Sequence, residues 1–74
     1  MYYKNRISVN PNVMLGKPCI KGTRITIELI IKKLSEGASI DDLLKGYPKL
    51  SEEDIRAALA YSADVIAREE LLVS

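Results

Sequence analysis

The stretch SIDDLLKGYPKLSEEDIRAAL, residues 39–59, decides the fold. Ile40, Leu43, Leu44 and Tyr47 follow the i, i+3, i+4, i+7 spacing of an amphipathic helix. Ser39 stands where an N-cap belongs, and Asp42 stands three residues later, where a capping-box carboxylate reaches back to the cap's own N–H. Gly46 and Pro48 close this helix. Ser51 then opens another, with Glu52, Glu53 and Asp54 in its first turn, where the helix dipole favours negative charge. Ile55, Ala58, Leu59, Ser62 and Ile66 form its apolar face, and the helix is expected to run to about Glu70. Two helices separated only by Pro48-Lys49-Leu50 read as a helix-turn-helix pair.

Outward toward the N-terminus lies a third helix. Thr26 is its expected cap, Glu28 lies in its first turn, and Ile27, Ile30, Ile31 and Leu34 line one side. Lys32 and Lys33 fall near its C-terminal end, and Gly37 stops it. Three short amphipathic helices with brief connections predict a compact trihelical bundle. Ala57, Ala58, Ala60, Ala63 and Ala67 raise helix propensity and would also let another element approach closely.

Residues 1–25 have a different texture. Ile7 and Val9 alternate with Ser8 as in a short strand, and Asn10-Pro11-Asn12 is a turn signal. Gly16 breaks the apolar run Val13-Met14-Leu15, and Pro18 biases Lys17 toward extended backbone. Ile20-Lys21-Gly22-Thr23 reads as a tight turn with Gly22 at positive φ. Two or three short strands are expected here, on an edge or paired with another chain. The expected architecture is therefore mainly α, a single domain over residues 1–74. A short N-terminal β-hairpin region (1–25) precedes a three-helix bundle (26–70).

Composition narrows the function. The 74 residues include no histidine and one cysteine, Cys19, so a Cys–His nucleophile, an intrachain disulfide and a four-ligand metal site have no constituents. The acids Asp41, Asp42, Glu52, Glu53 and Asp54 sit in first helical turns and read as capping groups rather than acid–base catalysts. No catalytic residues, metal or other cofactor are expected. No run approaches a membrane span, and no apolar signal-peptide core follows Met1–Arg6. With its lone thiol, the chain is expected in the cytoplasm, away from membranes. A domain this small gains from self-association, so a homodimer or higher homo-oligomer is expected.

Net charge is +1 but divided. Residues 1–33 carry seven basic side chains against one acid, a net +6, and residues 34–74 carry four against nine, a net −5. Such a division fits a basic half that meets an anion, two halves that attract across an interface, or merely solvated side chains. The second helix of a helix-turn-helix would present Glu52, Glu53 and Asp54 to phosphate, which repels it. DNA contact would therefore fall to Lys17, Lys21, Thr23, Arg24, Lys32 and Lys33, with Arg6 beside them and Gly22, Thr23 and Arg24 forming a wing. Arg24 could instead pair internally with an acid of the last helix. Tyr47 and Tyr61 read as core, whereas Tyr2 and Tyr3 read as a partner-stacking pair or a loose end, and Leu71, Leu72 and Val73 as an apolar tail that packs on something.

The run from Pro11 through Gly16-Lys17-Pro18-Cys19-Ile20-Lys21-Gly22-Thr23-Arg24-Ile25 resembles the signature of the domain-of-unknown-function family 433. So does the run from Gly37 through Tyr47-Pro48-Lys49-Leu50-Ser51 to Ala58-Leu59. Together they span residues 7–62. The motif positions are Gly16, Lys17, Pro18, Ile20, Gly22, Thr23 and Arg24, then Tyr47 and Pro48. The resemblance implies a three-helix homeodomain-like or winged helix-turn-helix bundle behind an N-terminal strand region, and a prokaryotic antitoxin of a type II toxin–antitoxin pair that silences a PIN-like ribonuclease toxin and binds operator DNA as a dimer. It leaves Arg68–Ser74 as the candidate toxin-binding tail. The residues alone also allow a stand-alone DNA-binding transcriptional regulator that uses the basic N-terminal half.

Overall fold

A computed structural model describes the backbone of residues 2–73 and the side chains of residue 3 and residues 5–68. The expectations for Tyr2 and for the Leu71-Leu72-Val73 tail concern side chains outside the described residues.

The chain begins with a 3-10 turn, Tyr2–Asn5, followed by strands β1 (Ile7–Ser8) and β2 (Cys19–Ile20) and helices α1 (Ile27–Ser35), α2 (Ile40–Gly46) and α3 (Glu52–Val73). The strands pair antiparallel, Ile7 opposite Ile20 and Ser8 opposite Cys19. The hairpin is thus closed within one chain. On its other side β2 continues into the approach to α1: Ile20 N–H donates to the Ile25 carbonyl (2.9 Å), and Ile27 N–H donates to the Pro18 carbonyl (2.9 Å). The hairpin is thereby bonded directly to the start of α1.

The helices begin where their caps dictate. Thr26 Oγ1 accepts from Leu29 N–H (3.0 Å). Ser39 and Asp42 form the expected capping box, with bonds of 3.0 and 2.9 Å. Ser51 and Asp54 form a second one on α3, 3.2 and 3.0 Å. At the end of α1, Gly37 takes φ +101°. Its N–H reaches the Leu34 carbonyl, while Ala38 N–H reaches Lys33, so two carbonyls that the helix leaves open are satisfied. Helix α3 runs three residues beyond the expected Glu70.

The core collects Ile20, Ile27, Ile30, Leu43, Leu50, Ile55 and Ala58, with Ile7, Ile25, Ile31, Leu34, Ile40, Leu44, Tyr47 and Tyr61 packed around it. The stripes expected on α1 and α2 face inward. On α3 the expected face is rotated: Leu59 and Ile66 are exposed, whereas Ala57 and Ala58 are fully buried. The cause lies in the front of the chain. The Tyr2–Asn5 turn packs on α3 as α1 does from its own side, and two contacts bring two small side chains inside. Tyr3 is buried, its hydroxyl donates to Asp64 Oδ2 (2.6 Å), and its ring meets Tyr61 edge-on at 5.8 Å. Tyr3 is therefore part of the packing rather than a loose end. Its phenol pKa is raised, chiefly by that hydrogen bond to a carboxylate, then by burial.

Among the described residues no helix is long and apolar enough to cross a membrane.

Candidate binding surfaces

The stretch Gly16–Ile25 contains most of the motif positions, and its local geometry divides them into two groups. One group builds the hairpin. Met14, Leu15 and Gly16 all take positive φ (50°, 59° and 81°), a left-handed run that turns the chain before Lys17. Only at Gly16 is that conformation without steric cost. Pro18 lends its carbonyl to α1, and Cys19 and Ile20 are buried. Gly22, at φ +80°, occupies the corner of a turn closed by Thr23 N–H on the Ile20 carbonyl (3.0 Å). Thr23 Oγ1 donates to that same carbonyl (2.8 Å) and accepts from Ile25 N–H (3.0 Å), so this hydroxyl is spent on the turn. Tyr47 follows α2 half-buried, and exposed Pro48 lies in the next turn, closed by Leu50 N–H on the Tyr47 carbonyl (2.8 Å).

The second group faces water: Lys17, Lys21 and Arg24. Lys17 Nζ lies 2.9 Å from Glu28 Oε1 on α1, and this contact lowers the Glu28 pKa, first by hydrogen bonding and then by charge. Lys21 and Arg24 form no ion pair among the described residues. The acid of α3 that Arg24 could have met is taken by Arg6 instead, whose Nη1 lies 3.1 Å from Asp54 Oδ1. Arg24 lies beyond the turn, whereas Arg6 immediately precedes β1 and so lies against the start of α3. Lys32 and Lys33 are exposed on α1. The six proposed nucleic-acid contacts are thus divided: Lys17 pairs internally, Lys21, Thr23 and Arg24 share the turn after β2, and Lys32 and Lys33 belong to another element.

The three carboxylates that open α3 are largely committed within the protein. Asp54 is buried against Arg6, Glu52 pairs with Arg56 (2.9 Å), and Glu53 shares a surface depression with Arg6 and Arg56.

Two grooves remain open. Between α1 and α3 runs an apolar one of about 520 Å³, lined by Ile27, Ile31, Tyr61, Val65 and Ile66, with Glu28 and Lys32 among its polar members. Between the Gly22 turn and the α2–α3 connection lies a second, of about 610 Å³, where Ser8, Asn10, Val13, Thr23 and Arg24 face Lys49. Sequence reasoning passed over Lys49 and Asn10. The only signal was a lysine held in the Pro48–Leu50 turn, which periodicity does not single out.

Comparison with known proteins agrees with this geometry. The protein y4eO of Sinorhizobium fredii (strain NBRC 101917 / NGR234), described as uncharacterized, is 29% identical over 56 residues, 76% of this chain and 25% of that protein. This chain therefore matches about a quarter of that relative's length. A crystal structure of a DUF433 member protein from Anabaena variabilis ATCC 29413 matches with a TM-score of 0.77 at 34% identity, over 92% of this chain and 70% of that one. The profile of the family described as "Protein of unknown function (DUF433)" matches residues 7–62, which takes in the hairpin, all of α1 and α2 and half of α3, and the chain accordingly belongs to the DUF433 family.

Proposed function

We propose that this chain is an antitoxin-like binding protein of a type II pair, one that neutralises a PIN-like ribonuclease toxin and also binds operator DNA. In this reading it works in the cytoplasm as a homodimer or higher homo-oligomer. The observation that carries the proposal is the open apolar groove between α1 and α3. Ile27, Ile31, Tyr61 and Val65 line a channel whose rim residue Ile66 is 55% exposed. A groove of this kind suits an amphipathic segment of a protein partner, which would bury its own apolar side there. The motif resemblance supplies the identity of that partner. The reading includes no catalysis by the chain itself: there is no histidine, and the one thiol, on Cys19, is 1% exposed.

The test is co-purification from the native host. A small nuclease should come down with the chain, and Ile31→Asp with Ile66→Asp should release it and restore nuclease activity. Recovery of no nuclease, with none encoded beside the gene, removes the proposal.

A second reading, a stand-alone DNA-binding regulator, is favoured by one observation: Lys21 and Arg24 are exposed on the turn after β2 without an ion-pair partner among the described residues. Lys21→Glu with Arg24→Glu should abolish gel shifts, and unchanged shifts would refute it.

A further inference from the structure

We infer that the groove between the Gly22 turn and the α2–α3 connection is a phosphate-binding site for the backbone of a nucleic acid, with Arg24 and Lys49 as its two charged contacts. This rests on the nucleic-acid part of the reading above and gives it a location that the sequence pattern does not.

Four features support the site. First, no carboxylate lines the groove, and neither cation has an ion pair among the described residues, whereas Arg6, Lys17 and Arg56 are each held by an acid. Of the acids that follow Lys49 along the chain, Glu52 and Asp54 are paired with Arg56 and Arg6, and Glu53 lies in a separate depression beside those same two arginines. Second, both cations are mounted on tight turns with buried anchors. Arg24 follows the turn rooted at Ile20 (2% exposed), and Lys49 lies in the turn rooted at Leu50 (6% exposed). Their backbones are in place before a ligand arrives, so less ordering entropy opposes binding.

Third, neutral donors line the groove along with the cations. Asn10 Oδ1 is occupied by Asn12 N–H (2.9 Å), which leaves the Asn10 amide N–H groups to donate, and the Ser8 hydroxyl lines the same groove. Fourth, Gly22 has open space where a Cβ would stand, so a ligand can approach the backbone of the turn. An arginine fork, an ammonium and neutral donors without an acid form a phosphate-recognising set. Exposed Lys21, on the same turn as Arg24, continues the positive surface and favours a chain of phosphates over a single ion. Contacts of this kind give affinity and register rather than sequence choice.

The experiment measures binding of a labelled DNA duplex by fluorescence anisotropy across a range of NaCl concentrations. It compares the full chain with Arg24→Gln/Lys49→Gln and with a Lys45→Gln control. Each lost phosphate contact should flatten the slope of log K against log salt by about 0.9, so the first variant should lose about 2 and the control nothing. All three side chains are exposed, and circular dichroism will verify that both variants fold. Inorganic phosphate, followed by the amide resonances of Gly22, Thr23 and Lys49, is the second probe. Shifts that vanish in the Arg24/Lys49 variant support the site. Wild-type binding with an unchanged slope in that variant overturns the site but leaves DNA binding standing elsewhere. Phosphate shifts without duplex binding overturn the nucleic-acid assignment. Neither shifts nor binding overturns both.

Discussion

Replacing Asp54 tests how the front of the chain is fastened to the helices. One of its oxygens accepts Ser51 N–H (3.0 Å) and the other lies 3.1 Å from Arg6, while the residue as a whole is 8% exposed. In Asp54→Ala the start of α3 loses its reciprocal cap, a cost of about 1 kcal/mol. It also strands the Arg6 guanidinium. Because the Arg6 side chain is 40% exposed and water can partly replace its partner, that loss is about 1 kcal/mol rather than the larger cost of breaking a fully buried pair. The total is about 2 kcal/mol. A chain of 74 residues has an unfolding entropy near 2.1 cal/mol/K per residue, so the melting temperature should fall by about 10–15 °C. Asp54→Asn keeps an oxygen for Ser51 and should lose about half as much. Thermal melts by circular dichroism, with Arg6→Ala and the double mutant completing a cycle, separate the two contributions. A loss below about 0.5 kcal/mol in Asp54→Ala, or no coupling in the cycle, would refute this account.

Ile55→Ala removes a fully buried side chain and should cost about 2–5 kcal/mol, seen as a lower urea midpoint at unchanged slope. Leu15→Gly should stabilise by about 0.5–1 kcal/mol, because Leu15 is 94% exposed at φ 59° and glycine relieves the left-handed strain without losing packing. Gly22→Ala, at φ +80° in open space, should cost about 1 kcal/mol from conformation alone. Glu28 and Asp42 have lowered pKa values, held by Lys17 and by the Ser39 N–H. Folded carboxylates that bind protons less readily than unfolded ones stabilise the protein above the ordinary carboxylate range, so urea stability should decline as pH falls through and below it. Tyr3 has the opposite sign: its raised pKa means that its contribution is complete below the ordinary phenol range and is lost as pH rises through and above it.

What could be read from the chain was whatever depends on near neighbours. The Thr26 cap, the Ser39–Asp42 box, the left-handed Gly37 and the turn at Gly22 all follow from residues at most a few positions apart, and the structure has each of them. The expectations that shifted depend on distant contacts. Nothing in Tyr3 or Arg6 announces a partner on α3, so the burial of Ala57 and the outward turn of Leu59 and Ile66 follow from a docking that periodicity cannot register. The left-handed Met14 and Leu15 were hidden for another reason, since neither residue type favours that conformation. At the candidate site, Lys21 and Arg24 were legible as charges on a turn. Lys49 was not, because its place beside Arg24 arises only when the Gly22 turn and the α2–α3 connection are brought together.

The fastening of the front also bears on the order of assembly. The capping box of α2 joins residues three apart in sequence, while Arg6 and Asp54 are 48 apart. That is four doublings of loop length, and closing the larger loop costs about 2.4 kcal/mol more. The caps can therefore form while the Arg6–Asp54 contact is still open, and the front is fastened to α3 after them. On unfolding the sequence reverses, so amide hydrogens at the β1–β2 pairing should exchange with solvent before those in the middle of α1 and α3.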